Sequence, residues 1–214
     1  MNATRRWLGT SCARSEGMNR QQEARGTLAH PSTRMSHTAD LEKWEIDPER
    51  SSLRFVLRHL IVSEIRGEFH RWGGTLFFAP DQSVPSTVNV WVDVSTIDTR
   101  DPERDAHVRS SEFLDAARLP RAEFDANDID VRDGRAVVHG RLRLHGVVHD
   151  VDIEVEPHTA PNTGDENAYL ARAKINRQVF GLHWNQDLDA GGIVVGDEIQ
   201  IVAQLVLVRT NGDG

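Results

Sequence analysis

Cysteine is almost missing from this chain: Cys12 is the only one, and it precedes the part of the sequence that has a regular apolar pattern. That part can form no internal disulfide and offers no thiol nucleophile or thiolate metal ligand. An export signal is missing too. Arg5-Arg6-Trp7-Leu8 is followed by Gly9, Thr10, Ser11, Arg14 and Glu16, where a secretory signal needs an apolar run of roughly 7 to 15 residues, so a cytoplasmic location is expected. Excess positive charge is absent as well. Residues 44–214 hold 18 of the 25 Lys/Arg and 29 of the 33 Asp/Glu, a net charge of 18 − 29 = −11, which argues against nucleic acid and against an anionic membrane as main partners. No stable membrane insertion is expected. The sequence has no Gly-x-Ser-x-Gly elbow, no phosphate-binding glycine loop and no His-Glu-x-x-His motif. No enzymatic activity and no cofactor are expected.

Residues 1–40 are rich in Arg, Gln, Ser and Gly, have no periodic apolar face, and are expected to be a disordered tail. Met18 and Met35 offer later translation starts. A chain of 214 residues with 38% hydrophobic residues can bury one sizeable core, and a single domain over residues 41–210 is expected.

That domain reads as strands. Leu53, Phe55, Leu57 and His59 alternate with Arg54, Val56 and Arg58, the period-2 pattern of a half-buried strand. Ile65, Gly67 and Phe69 share one parity and Gly74, Leu76 and Phe78 the other, so an insertion around His70 to Gly74 bends the second strand. Val88, Val90 and Val92 alternate with Asn89, Trp91 and Asp93, which points Trp91 outward. Asp101-Pro102-Glu103 is a helix start, with an Asp cap and Pro at the first position. Beyond Pro120 the parity switches between Ala126 and Ile129, which predicts a bulge at Asn127-Asp128, and Asp133-Gly134 predicts a two-residue hairpin turn. Gly146-Val147 is expected to turn the next hairpin, setting Leu142 opposite Val151 and Leu144 opposite His149, with His145 outward and His149 inward. Two more strands follow, with Tyr169, Ala171, Ala173 and Ile175 inward in one and Ile199, Ile201, Ala203, Leu205 and Leu207 in the other. Eight strands in a meander close most simply into an all-β antiparallel up-and-down barrel with a short helical excursion, which removes the sheet edges.

Trp44-Glu-Ile-Asp-Pro48, Arg58-His59-Leu60, Gly67-Glu-Phe69, Ile97-Asp-Thr99, Arg104-Asp-Ala-His107, Phe113-Leu-Asp115, Gly140-Arg-Leu142, Asn176-Arg177, Phe180-Gly181 and Val195-Gly-Asp197 run in order along the domain. This series closely resembles the YceI-like family. The resemblance implies a lipocalin-like barrel with an elongated apolar cavity that binds a long-chain isoprenoid or other amphiphilic lipid. Arg50, where the family usually shows His, and Leu114, where Phe is common, depart from the pattern.

The inward parity makes Phe55, Leu57, Phe69, Leu76, Phe78, Val90, Val92, Phe124 and Leu142 core or cavity wall, and the resemblance implies wall, with Phe113, Phe180 and Trp184 on connecting segments as candidates for closing its mouth. His59 and Arg177 are candidates for holding a polar head group; an inward Arg177 demands a carboxylate or an anionic ligand. His145 and His149 have helical metal-ligand spacing but point to opposite sides of the expected hairpin, so no metal site is assigned. In Arg104-Asp105-Ala106-His107, backbone capping by Asp105 or His107 outweighs an acid–base role. A lipid carrier is the leading function, with a second copy of the chain, in a homodimer, as a candidate partner. An enzyme acting on an isoprenoid or quinone-like substrate and a filled barrel serving protein interaction are the alternatives.

Overall fold

The computed structural model describes residues 41–59, 63–80, 82, 84–158, 166–183 and 195–210. The expected tail over residues 1–40 lies outside them. Eleven strands form one sheet: β1 (Glu42–Ile46), β2 (Ser52–His59), β3 (Ser63–Phe69), β4 (Trp72–Phe78), β5 (Pro85–Asp93), β6 (Ile97–Asp98), β7 (Arg121–Arg132), β8 (Arg135–Leu144), β9 (Val147–Pro157), β10 (Glu166–Asn176) and β11 (Val195–Arg209). All pair antiparallel, and β1 bonds to both β4 and β11, which closes the ring.

Several of these strands are pieces of longer ones. β1 and β2 run end to end along β11, with Ile46 opposite Leu207 and Ser52 opposite Gln204. β3 and β4 likewise continue one another, bent at His70-Arg71, where the sequence placed its insertion. Counted this way the barrel has eight strands, plus the two-residue β6 laid against β3. β1 is a strand that the parity pattern did not reveal. Its Trp44 and Ile46 are buried, and Trp44 packs against Phe78 at 5.7 Å between ring centroids.

The β7–β8 bulge falls between Ala126 and Asp128, and Asp133-Gly134 makes the turn with φ of 52° and 76°. The next hairpin corrects the expected register. His145 and Gly146, with φ of 51° and 75°, form the two-residue turn, so Leu144 faces Val147, Leu142 faces His149 and Gly140 faces Val151. A two-residue turn whose twist matches the strands needs positive φ at both central positions, which places Gly146 second rather than first. His145 is therefore a turn residue instead of an outward strand residue, and it lies half-buried with Nδ1 3.2 Å from the Phe180 carbonyl oxygen. His149 keeps the inward parity yet is exposed. The β9–β10 ladder runs only from Tyr169–Pro157 to Ala173–Ile153, so β10 does not cover it; its ring meets Phe180 edge-on at 5.3 Å instead.

The helical excursion packs against one end of the barrel. Helix α1 (Pro102–Arg109) starts at Asp101, whose side chain accepts from the Arg104 N–H. The buried Asp105 carboxylate accepts from the Thr99 N–H at 2.9 Å and its hydroxyl at 2.6 Å, tying α1 to the end of β6. Leu114, Ala116, Phe180 and Leu182 pack beneath it with Phe55, Val94, Ile97 and Ala122. On the outer wall Trp91 is half-buried, with the Arg121 guanidinium 4.8 Å from its ring centroid.

Candidate functional site: a two-lobed apolar cavity

Inward side chains do not fill the barrel. A cavity runs through it in two lobes of about 480 and 310 Å³. The larger lies among Ile46, Trp72, Leu76, Phe78, Val88 and Leu205, the smaller among Phe55, Leu57, Phe69, Val92, Phe113, Leu114 and Leu142. Leu53, Val90, Phe124, Ile153, Ala173 and Ile201 border both lobes and form the waist between them, where Phe124 is 5% exposed. Ala122 lines the smaller lobe and Val131 the larger. They lie nine positions apart on β7, about 30 Å of strand at the usual rise, so the space suits a chain better than a compact molecule.

Ten of the nominated residues come together here. Phe55, Leu57, Phe69, Val92, Phe113 and Leu142 line the smaller lobe, Leu76 and Phe78 the larger, and Val90 and Phe124 both. The parity argument fails to identify the residues that leave the space open. β10 presents Ala171 and Ala173, β11 Ala203 and β8 Ala136 to the larger lobe, where Leu or Phe at the same positions would fill it. The signal was present as alanine on the inward parity of adjacent strands.

Two nominated residues sit elsewhere. Arg177 and Phe180 line neither lobe. The chain leaves β10 at Asn176 and makes a short 3-10 turn over Arg177–Phe180, begun by the Asn176 side chain accepting from the Gln178 N–H and ended by Gly181 at φ 77°. Arg177 is fully buried. Its guanidinium donates to the carbonyls of Gly196 at 2.9 Å, Val195 at 3.1 Å and Leu182, and Nη2 lies 3.3 Å from the Asp197 carboxylate. Burial pulls its pKa down while Asp197 pushes it up. The charge is answered inside the protein, so its burial is no sign of a ligand. Phe180 is 1% exposed and belongs to the packed end. His59 is the last residue of β2, paired with Ser63 and Val195; its side chain and all of Trp184 lie outside the described residues.

The two ends of the cavity differ. Thr99, Arg104 and His107 are polar contributors at the α1 end, and Arg104 is tied to Thr99 by Nε–Oγ1 and Nη2–O hydrogen bonds of 2.8 Å. At the other end the wall includes Val131, 52% exposed although on the inward parity, together with Gly134, Arg135, His158, Asn167 and Arg172. Exposed residues border the space here, at the Asp133-Gly134 hairpin. Outside the barrel, Glu68, His70 and Asp98 bring one ligand atom each within 4.8 Å of one another, with His70 Nε2 3.2 Å from Asp98 Oδ2. This grouping crosses β3 and β6 and has no counterpart in sequence spacing.

A closed eight-stranded antiparallel barrel holding an elongated apolar cavity is the architecture of a small ligand-binding barrel. Residues 44–207 match the profile of the YceI-like domain, and the chain belongs to that family. Over 134 residues it is 37% identical to a UPF0312 protein of Vibrio campbellii, covering 61% of this chain and 71% of that one. The crystal structure of BcnA from Burkholderia cenocepacia superposes with a TM-score of 0.65 at 22% identity, over 75% of this chain and 98% of that one. A structure described as a polyisoprenoid binding domain from Saccharophagus degradans, implicated in plant cell wall breakdown, superposes with a TM-score of 0.57 at 16% identity, over 78% and 98%. At these identities the two structures share the fold. No helix among the described residues is long and apolar enough to cross a membrane.

Proposed function

We propose that this protein takes up a long apolar chain, such as that of an isoprenoid or another amphiphilic lipid, and carries it reversibly inside the barrel without chemical change. The observation that carries the reading is the pair of apolar spaces inside the barrel that meet at a common wall around Phe124, lined mainly by aliphatic and aromatic side chains. The shared fold with a polyisoprenoid binding domain supports the same reading. Removing roughly 400 Å² of ligand surface from water yields about 10 kcal/mol gross at about 25 cal/mol per Å². Association and ordering cost about 4 to 15 kcal/mol, so net affinity requires a space that exists before the ligand arrives. Residues 41–210 are assigned to the binding domain.

The rival reading is catalysis on such a substrate with His59 or Arg177 polarising an oxygen, and its Arg177 form loses support from the three backbone carbonyls and the carboxylate that engage the guanidinium. The test is mass spectrometry of lipid carried through purification under native conditions, followed by reloading of the stripped protein with a polyisoprenoid pool of mixed chain lengths. Stoichiometric uptake of unaltered chains is expected. Recovery of converted product, or no uptake of any chain, would refute the carrier reading.

A further inference from the structure

We infer that the ligand's head is anionic, a carboxylate or a phosphate, and that it sits at the rim beside the Asp133-Gly134 hairpin, held by Arg135 and Arg172; this rests on the carrier reading. Three observations converge there. The larger lobe reaches an exposed border at this hairpin, with Val131 and Gly134 on its lip. Just outside the lip lies a second hollow, on the outer wall over β7, β8, β9 and β10, and Arg135, Ala136, Val155 and Arg172 border both spaces. A molecule with its tail in the cavity therefore meets these two guanidinium groups as it emerges.

Charge supplies the third observation. The domain is strongly acidic, yet the ionisable side chains lining the larger lobe at this lip are Arg135, Arg172 and His158, while the carboxylates beside them, Asp130, Glu154 and Glu156, border only the outer hollow. Arg172 Nη1 donates to Glu156 Oε1 at 2.5 Å, and Arg135 Nε lies 3.6 Å from Oε2. The arginines hold the Glu156 carboxyl below its usual range. Each guanidinium carries five N–H donors, and Glu156 engages few of them. Half or more of each arginine side chain is exposed, at 77% and 50%, so an oxyanion at the lip can reach both without displacing Glu156. A head at this end fixes the ligand's direction: head at the hairpin, tail tip toward α1, opposite to the end where Arg177 lies.

Three probes with the same chain separate the head from the tail: hexadecanoic acid, hexadecyl phosphate and hexadecan-1-ol, measured by displacement of an uncharged naphthylamine fluorophore. The parent protein is expected to bind both anions more tightly than the alcohol, the tighter anion identifying the head. In the Arg135→Gln/Arg172→Gln variant that preference falls by roughly three- to tenfold, the scale of two partly exposed ion pairs, with alcohol binding unchanged. Unchanged alcohol binding also certifies that the variant's barrel is folded. Equal binding of all three probes by the parent, or a preference that survives in the variant, overturns the inference while leaving the carrier reading intact. If the parent binds none of the three, the carrier reading itself fails, and this inference with it.

Discussion

Phe124 lies across Gly140 at the waist of the cavity, and that pair can be tested as a unit. A methyl group placed on Gly140 would meet Phe124 Cζ at 2.3 Å, Cε2 at 2.6 Å and Ala126 Cβ at 2.8 Å, all inside van der Waals contact. The same device recurs where Gly67 receives the Phe55 ring at 2.4 Å. Gly140→Ala must therefore push the Phe124 ring away from β8, into one of the lobes that it borders. Overpacking of this kind costs about 1 to 3 kcal/mol, offset by the roughly 0.5 to 1 kcal/mol gained when glycine leaves a strand interior, so a net loss of about 1 to 2 kcal/mol is expected. Phe124→Ala alone costs about 3 kcal/mol, the low end for a buried Phe, because its ring already faces open space on both sides.

The informative quantity is the coupling. Once Phe124 is alanine, the methyl group at position 140 is relieved of the ring but still meets Ala126 Cβ at 2.8 Å, so Gly140→Ala costs less than in the parent without becoming neutral. The double variant should then be more stable than the sum of the singles by about 1 kcal/mol, the part of the overpacking cost that the ring carries. Urea unfolding of the four proteins, with slopes compared as well as midpoints, measures the cycle. Ligand profiles from a mixed-length pool give a second readout: the Phe124→Ala variant should admit longer or bulkier chains, and the Gly140→Ala variant should shift toward shorter ones. Strict additivity, within about 0.5 kcal/mol, would refute the close contact. Unchanged profiles in both singles would show that the waist does not gate the chain.

Arg177→Met is expected to destabilise the fold by several kcal/mol, at about 1 to 3 kcal/mol for each buried carbonyl left without a donor, since it strips the donors from three carbonyls while Asp197 keeps Gln178 as a partner, and the folded fraction keeps the parent's ligand profile; a lost profile at parental stability would restore a head-group role for this residue. His139 is held above its ordinary pKa of 6.5, chiefly by its hydrogen bond to Asp152 at 2.8 Å. A folded-state pKa above the unfolded value stabilises fully below about pH 6.5 and loses that contribution as pH rises through the raised value. The parent should thus drop more in unfolding midpoint from pH 5.5 to 8.5 than His139→Asn, and equal drops would contradict the assignment.

Parity made most of the cavity wall legible, because within a hydrogen-bonded ladder successive side chains must alternate faces and one face of a closed barrel is inside. It located Phe55, Val90, Phe124 and Leu142 without any structure, and it placed the bend near His70 and the bulge before Asp128. β1 escaped because five residues with two buried side chains, cut off by Asp47-Pro48, are too short a run to establish a period. The emptiness of the interior escaped because it depends on which alanines face which aromatics across the closed ring, a relation between strands distant in sequence. Arg177 shows the limit most sharply. Counting on from Ile175 put it on the inward face, but the Asn176 side chain captures the Gln178 N–H and starts a 3-10 turn there, and beyond the last ladder position the count of two carries no direction. A side chain that parity aimed at a ligand instead reaches back to the carbonyls at the start of β11, where it fastens the turn to the final strand, at the end of the barrel opposite the arginine-lined rim.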